Sequence, residues 1–400
     1  MSLLGIGIND RKEQLMNILK TVLVGAGGYA ASYVERLFTP ALSSKLQLVA
    51  VVDPYATKSP QYGMFKHLPV YDTLEEFFAQ NSAEFVIISS PIQLHYQQCV
   101  TALKNNAHIL CEKPLVPTLL QLEQLADMAK STEKILEVGF QLSYASAILS
   151  LKNRIIAGEF GRALSLKAIV SWQKDWAYYT RNTWAGKRKT TDGLLVNDAV
   201  ASNATSHYIH NMLFVLGNSI ATAAPLTNLT VECYRANDIE TFDTIAFRGQ
   251  AAGAQIFFAA THAADGAIQP RLEYAFENAR IVIDFEQHNS PCVIYHNCGK
   301  IEHPPHDMHD GELNKIAFTA ECIHGLRTPI CDTGTVRPIT ALLDTIFSDV
   351  QFKTFDNGVI VVDKQKEWTY IKDLQVELMK CFTEEKLPSE LPSWVRLIGK

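Results

Sequence analysis

One short segment constrains this chain more than any other. The apolar, β-branched run Leu19–Val24 passes directly into Gly25-Ala26-Gly27-Gly28-Tyr29-Ala30, and a helical stretch then runs to Phe38, where Thr39-Pro40 ends it. Each small residue has a physical task in such a strand–turn–helix unit. Gly25 permits the tight turn out of the strand, Gly27 lets backbone approach a pyrophosphate, and Ala30 takes the third position, where close helix–strand packing tolerates only a small side chain. The helix N-terminus then directs free N–H groups and its positive dipole end at the phosphates. Gly28 and Tyr29 complete the loop. Asp53 ends the next strand, Leu46–Val52. A carboxylate there accepts hydrogen bonds from the ribose hydroxyls and repels a 2′-phosphate. NAD is therefore the expected cofactor, with NADP as the alternative because Lys58 lies close downstream.

The pattern continues. Helical stretches at Thr73–Gln80, Ile92–Asn105 and Thr118–Ser131 alternate with strands at Phe85–Ser89, His108–Cys111 and Ile135–Phe140. Strands spaced by helices of this length predict a parallel, doubly wound sheet. A Rossmann dinucleotide-binding domain is expected over residues 17–140. Residues 1–16 form a leader of uncertain status, in which Gly5-Ile6-Gly7 follows no strand.

Composition excludes several classes. Of 400 residues, 47% are hydrophobic and 20% charged, which is ordinary for a globular chain rather than a disordered one. The net charge of −6 gives no electrostatic reason to expect nucleic acid or an anionic membrane. No apolar run approaches the roughly 20 residues of a transmembrane helix. The eight cysteines contain no C-x-x-C pair and suit reduced thiols, so a cytoplasmic protein is expected.

Two further segments narrow the reading: Ser90-Pro91-Ile92-Gln93-Leu94-His95 and Glu112-Lys113-Pro114. With the glycine turn, they resemble the Gfo/Idh/MocA family of nicotinamide-dependent sugar and cyclitol oxidoreductases. That family carries a T-P-x-x-x-H turn and then an E-K-P turn at about this separation, and Ser90 here replaces its threonine. The resemblance implies cofactor contacts from Ser90, Pro91, His95, Glu112 and Lys113. It also implies that Lys113 is the active-site lysine and that Pro114 is commonly cis. Independently, a lysine beyond a strand's carboxyl end sits at the cofactor crevice, where its ammonium can stabilise charge developing on a substrate oxygen. Read without the family, Lys113 is equally a surface lysine paired with Glu112.

After Phe140 the pattern changes. Ala145–Ala157 reads as a helix, and runs such as Leu164–Gln173, Thr244–Arg248, Ala254–Ala260 and Leu272–Glu277 read as strands of a large, mostly antiparallel sheet. Residues 141–400 are thus expected to form an α+β substrate-binding and oligomerisation domain, with late helices packing back on the first domain. An open sheet face of that size needs covering, so a homodimer or homotetramer through the sheet is expected. Ser202–Leu216 reads as a helix closed by Gly217, with Asn203, His207, His210 and Asn211 on one face. The family segment is D-x-x-x-H-x-x-D. His207 matches its histidine, but Asn203 and His210 stand where it has aspartates. An amide cannot take a proton as a carboxylate does. The general-base role falls on His207, with Lys113 or His210 as helpers.

The aromatic loop from Trp172 to Arg188 is a candidate sugar-binding segment. Trp172, Tyr179, Arg181, Trp184 and Lys187 are its candidate contacts, against the alternative of an aromatic loop packed in a subunit interface. His303, His306, His309 and Asp310 fit no standard metal spacing, and Pro304-Pro305 makes the segment a loop, so no metal is assigned. The expected activity is hydride transfer between nicotinamide and a carbohydrate or cyclitol hydroxyl. The alternatives are a non-catalytic dinucleotide-binding sensor and a family glycosidase using transient oxidation.

Overall fold

The computed structural model describes residues 17–287, 291–305 and 307–398. The 1–16 leader and His306 lie outside the described residues. The chain forms two compact units. Among the described residues, the first contains 17–115 together with Glu123–Gly139 and Glu312–Thr333, and the second contains the others.

The first unit is built on six parallel strands: β1 (Leu19–Val24), β2 (Leu46–Val52), β3 (Val70–Tyr71), β4 (Phe85–Ile88), β5 (His108–Cys111) and β6 (Leu136–Val138). Their order is β3-β2-β1-β4-β5-β6. Helices α1 (Ala30–Leu37), α2 (Leu74–Gln80), α3 (His95–Lys104) and α4 (Leu119–Ser131) connect them. Each residue of β4 is buried, as the continuous apolar run of a strand covered on both faces requires. Strand order reverses between β1 and β4, which makes their carboxyl ends the ligand crevice of this topology. The helix Gly311–Ile323, far along the chain, supplies Ile316 and Ala320 to the same core as Leu23, Tyr33, Val34, Ile87 and Leu110. Residues 312–333 count with the first unit, whereas the sequence pattern assigns every residue after Phe140 to the second domain.

The second unit is a nine-stranded sheet of β7 (Ala163–Ser171), β8 (Thr227–Arg235), β9 (Thr244–Ala251), β10 (Ala254–Thr261), β11 (Ile268–Phe276), β12 (Ala279–Asp284), β13 (Cys292–His296), β14 (Ile301–Glu302) and β15 (Lys353–Thr354). The order is β14-β13-β12-β11-β7-β10-β9-β8-β15. Its pairings are antiparallel except β7 with β10 and β8 with β15. Its helices are α5 (Ser146–Ile156), α6 (Ser206–Val215), α8 (Thr333–Asp349) and α9 (Leu374–Glu384), with α7 the Gly311–Ile323 helix of the first unit. α6 begins four residues later than expected. The Ser202 hydroxyl donates to Asn197 O at 2.5 Å and the Thr205 hydroxyl to Val200 O at 2.7 Å. Those local bonds hold a turn that competes with the first helical turn.

The large, mostly antiparallel sheet is present as expected, but one of its faces is not open across its width. Ile169, Tyr234, Ala246, Phe257 and Ala259, from β7–β10, are buried against Leu374, Leu378, Cys381 and Phe382 of α9 and against Leu387, Leu391, Trp394 and Leu397 beyond it. Arg248 makes two 2.7 Å bonds to Glu390, which pins this cover at its rim. On β11 and β12 the exposed side carries ion pairs instead, with Arg271 2.9 Å from Asp284 and Arg280 3.0 Å from Glu273. The central strands of this face are therefore covered from within the chain. Among the described residues no helix is long and apolar enough to cross a membrane.

Candidate active site

The glycine turn sits at the carboxyl end of β1, beside β2 and β4. Gly25 has φ +90°, and a Cβ there would meet Ser89 O at 2.6 Å, so both conformation and space require glycine. A Cβ on Gly27 or Gly28 would meet nothing within 4 Å. The space over the turn is open, and α1 starts behind it with neither an acidic residue in its first turn nor a side-chain cap. Open glycines and an uncapped helix N-terminus suit a pyrophosphate. Ala30 is fully buried, as the close-packing position demands. Asp53 accepts the Ala26 N–H at 2.8 Å and the Tyr55 N–H at 2.7 Å. It thus anchors the turn in addition to the ribose role expected of it. Each carboxylate oxygen retains a further lone pair for a ribose hydroxyl. Lys58 lies over the Tyr55 ring, 4.9 Å from its centroid.

The next two turns end β4 and β5. Ser90 donates to Gln98 Oε1 at 2.5 Å, and Pro91 is exposed at the start of the following turn. His95, expected as a cofactor contact, is 1% exposed. Its Nδ1 lies 2.9 Å from Pro114 O and its Nε2 2.9 Å from Ser90 O. It staples the two turns together from within, and that position corrects the ligand reading. Burial holds its pKa below the usual imidazole value against the pull of the two carbonyls.

Lys113 is half-buried and follows β5 by two residues; the Lys113–Pro114 bond is cis. Glu112, also expected to reach the cofactor, points inward instead. It accepts from Tyr33 OH at 2.7 Å, from the Lys315 ammonium and from the Lys113 N–H at 3.2 Å. Burial alone would raise the Glu112 carboxyl, but the Lys315 charge and the hydrogen bonds outweigh it and hold it below the usual range. The hydrogen-bonded ion-pair partner of Glu112 is therefore Lys315.

In the second unit, His207 is half-buried near the start of α6, edge-on to Phe140 with ring centroids 5.7 Å apart. Asn203 donates from Nδ2 to Asp198 Oδ1 at 2.9 Å. Asp198 also accepts the Gly186 N–H at 2.8 Å and lies 3.9 Å from Arg181. His210 is buried, stacked 4.2 Å from Phe140 and 3.0 Å from the Ser143 hydroxyl. Burial, then the Lys152 charge, pulls its pKa down to about 3. That is the place of a core histidine and corrects the helper role expected of His210. Asn211, on the same face, is likewise interior and accepts from Tyr274 OH at 2.6 Å.

The aromatic loop divides. Arg181 is exposed, 3.7 Å over the Tyr178 ring and 5.2 Å from that of Trp184. Trp172, Trp184 and Lys187 are half-buried at the loop surface. Tyr179 turns its hydroxyl inward among Gly186, Asp198 and His262, and burial pushes its pKa well up. That inward orientation corrects its assignment as a ligand contact. Sequence reasoning missed Asp198 and Lys315. Each left the same signal, a charged residue set in an apolar stretch: Val196–Ala201 for Asp198 and the Ile316/Phe318/Ala320 helix for Lys315. Among the described residues no three His, Cys, Asp or Glu side chains gather as a metal-binding group.

Residues 19–140 match the Gfo/Idh/MocA model, described as an oxidoreductase family with an NAD-binding Rossmann fold. The match spans β1 to β6 of the first unit. Curated relatives of this chain include an uncharacterized oxidoreductase of Schizosaccharomyces pombe, 31% identical over 38% of this chain and 41% of the relative. Glucose-6-phosphate 3-dehydrogenase of Bacillus subtilis is 28% identical over 44% and 49%, and inositol 2-dehydrogenase of Salmonella typhimurium 29% over 36% and 44%. The chain spans less than half the length of these relatives. The likeness in fold reaches further. The WlbA dehydrogenase of Bordetella pertussis, solved with NADH and UDP-GlcNAcA, superposes with TM-score 0.68 at 18% identity, over 83% of this chain and 96% of its own. An oxidoreductase domain protein of Kribbella flavida gives 0.69 at 16%, over 83% and 97%.

Proposed function

We propose that the protein is an NAD-dependent dehydrogenase acting on a hydroxyl of a sugar, sugar derivative or cyclitol. The observation that carries this reading is the placement of Asp53, the glycine turn, the Ser90-Pro91 turn and the Glu112–Pro114 turn at the carboxyl ends of β2, β1, β4 and β5, which lie side by side in one parallel sheet. The names of the curated relatives, dehydrogenases of a sugar phosphate and of inositol, support the substrate class. When bound, the nicotinamide supplies the two-electron acceptor. Gly25, Gly27 and Gly28 would hold its pyrophosphate and Asp53 its ribose. Lys113 stabilises negative charge on the substrate oxygen through its ammonium. His207 takes the hydroxyl proton, a task suited to an imidazole with an unperturbed pKa near 6.5. Trp184 and Arg181 offer a ring face and a guanidinium to the substrate.

A screen of sugars, sugar phosphates and cyclitols, read by nicotinamide absorbance, tests the proposal. Turnover is expected with at least one, and Lys113→Ala should lower it by orders of magnitude while NAD still binds. NAD binding without turnover on the whole panel favours the sensor alternative, and normal turnover by Lys113→Ala removes the lysine from the mechanism.

A further inference from the structure

Arg181 is held in place by rings more than by a carboxylate. Its guanidinium lies 3.7 Å over the Tyr178 ring and 5.2 Å from that of Trp184, and it donates to Tyr178 O. The Asp198 carboxylate stands 3.9 Å away, beyond hydrogen-bond length. That carboxylate accepts the Gly186 N–H at 2.8 Å and Asn203 Nδ2 at 2.9 Å. A guanidinium carries several N–H donors in a fixed fork, and ring contacts hold the fork without consuming those donors.

A second cation stands at the same ring. The half-buried Lys174 places its ammonium 4.8 Å from the Tyr178 centroid, and among the described residues no carboxylate is hydrogen-bonded to it. The adjacent Asp175 is exposed and accepts the Tyr178 N–H at 2.9 Å. Burial and the Arg181 charge hold Lys174 below the usual lysine value, against a smaller pull from Asp175. His262, edge-on to Tyr178 at 5.5 Å, is 2% exposed, and its Nε2 has no hydrogen-bond partner. Burial, then Lys174 and Arg181, keeps that imidazole neutral. Two like charges at one ring repel each other, and an anion beside them relieves the repulsion.

We propose that Arg181 and Lys174 form an anion site on the aromatic loop, and that the substrate carries a phosphate or carboxylate group which this site recognises. Arg181 gives paired N–H donors to two anionic oxygens, and Lys174 adds a point charge. A neutral sugar offers the pair hydroxyls but no charge to offset their repulsion. The inference rests on the dehydrogenase reading for the loop's role in holding substrate, but the anion site is testable without turnover.

The test labels the arginines of the full-length protein with phenylglyoxal in phosphate, acetate or chloride at one ionic strength, and follows each site by mass spectrometry. Phosphate or acetate is expected to slow labelling of Arg181 several-fold relative to chloride, and Lys174→Met to weaken that protection. The stronger protector names the group, phosphate for a sugar phosphate and acetate for a sugar acid. Arg162, exposed and paired with Glu277, is the control and is expected to label alike in all three salts. Equal labelling of Arg181 in the three salts, or the same protection at Arg162, would overturn the proposal. With a substrate that carries the indicated group, Arg181→Met should raise KM about tenfold or more with kcat nearly kept, the loss expected of one hydrogen bond to a charged group. Turnover of a neutral sugar with KM unchanged in Arg181→Met would overturn the anion site and leave the dehydrogenase reading intact. Protection of Arg181 by phosphate or acetate, with no turnover of any sugar or cyclitol, would do the reverse.

Discussion

Asp53 accepts the Ala26 amide at 2.8 Å, so the carboxylate that closes β2 also holds the turn that closes β1. One side chain thereby serves the geometry of the pyrophosphate turn and the proposed recognition of the ribose. Asp53→Ala should cost NAD binding about 1–3 kcal/mol, the penalty for leaving polar groups without a partner, or about 5- to 150-fold in affinity. NADP should lose less, because the charge that repels a 2′-phosphate disappears with the side chain. Calorimetric titration with both cofactors checks this. Equal losses would mean that Asp53 serves the turn alone.

His95 bridges Ser90 O and Pro114 O, each at 2.9 Å. A neutral imidazole has one N–H to give, so it donates to one carbonyl and packs against the other. His95→Ala should lower thermal stability by about 1–3 kcal/mol through the unsatisfied carbonyl and the cavity. NAD affinity should fall only modestly, through loosened turns. An unchanged melting temperature combined with a 100-fold loss of NAD affinity would restore His95 as a cofactor contact.

The outcome at His95 shows what a sequence carries and what it does not. The glycine turn was legible because its requirements are local: Gly25 needs a positive φ, and Ala30 needs a small side chain. The partners of His95 are main-chain carbonyls, and any residue type supplies those. Lys315 pairs with Glu112 across 203 positions of sequence, so spacing alone had no means to join them. Of Asn203, His207, His210 and Asn211, only the last three lie on α6, and Asn203 precedes it in the turn held by Ser202 and Thr205. Which part of that helix meets solvent is decided by Phe140 and Ser143, from one segment, and by Tyr274 of β11.

Two buried histidines make stability depend on mild acid. Burial, then Lys152, lowers His210 to about 3, and burial, then Lys174 and Arg181, lowers His262 to about 3. An unfolded imidazole titrates near 6.5. Between these values the unfolded chain binds more protons, so the stabilisation is complete above about pH 6.5 and is lost as pH falls towards 3. Each group contributes about 1.4 kcal/mol per pH unit once its unfolded form is protonated. Denaturant unfolding between pH 6.5 and 5 should therefore show stability falling with pH. His210→Gln should lessen that slope by about one proton; an unaltered slope would contradict the burial account.

The cover on the sheet face yields the last prediction. Trp394 is fully buried, packed 5.4 Å from the Tyr234 ring and 6.0 Å from that of Phe355. Glu377 on α9 ties this segment down, accepting from Ser393 at 2.5 Å and from Arg396 at 3.1 Å. Removing residues 373–400 would expose Ile169, Tyr234, Phe257 and Ala259 as one apolar surface on adjacent strands. A surface of that kind seeks another copy of itself or aggregates. The truncated chain should therefore self-associate more than the full chain by size exclusion with light scattering. Trp394→Ala should cost about 3–5 kcal/mol in unfolding, the usual penalty for emptying a large aromatic site. A truncated chain with the mass and melting temperature of the full one would show that α9 and the residues after it lie on the sheet without holding it, and the face would then be available to a partner subunit after all.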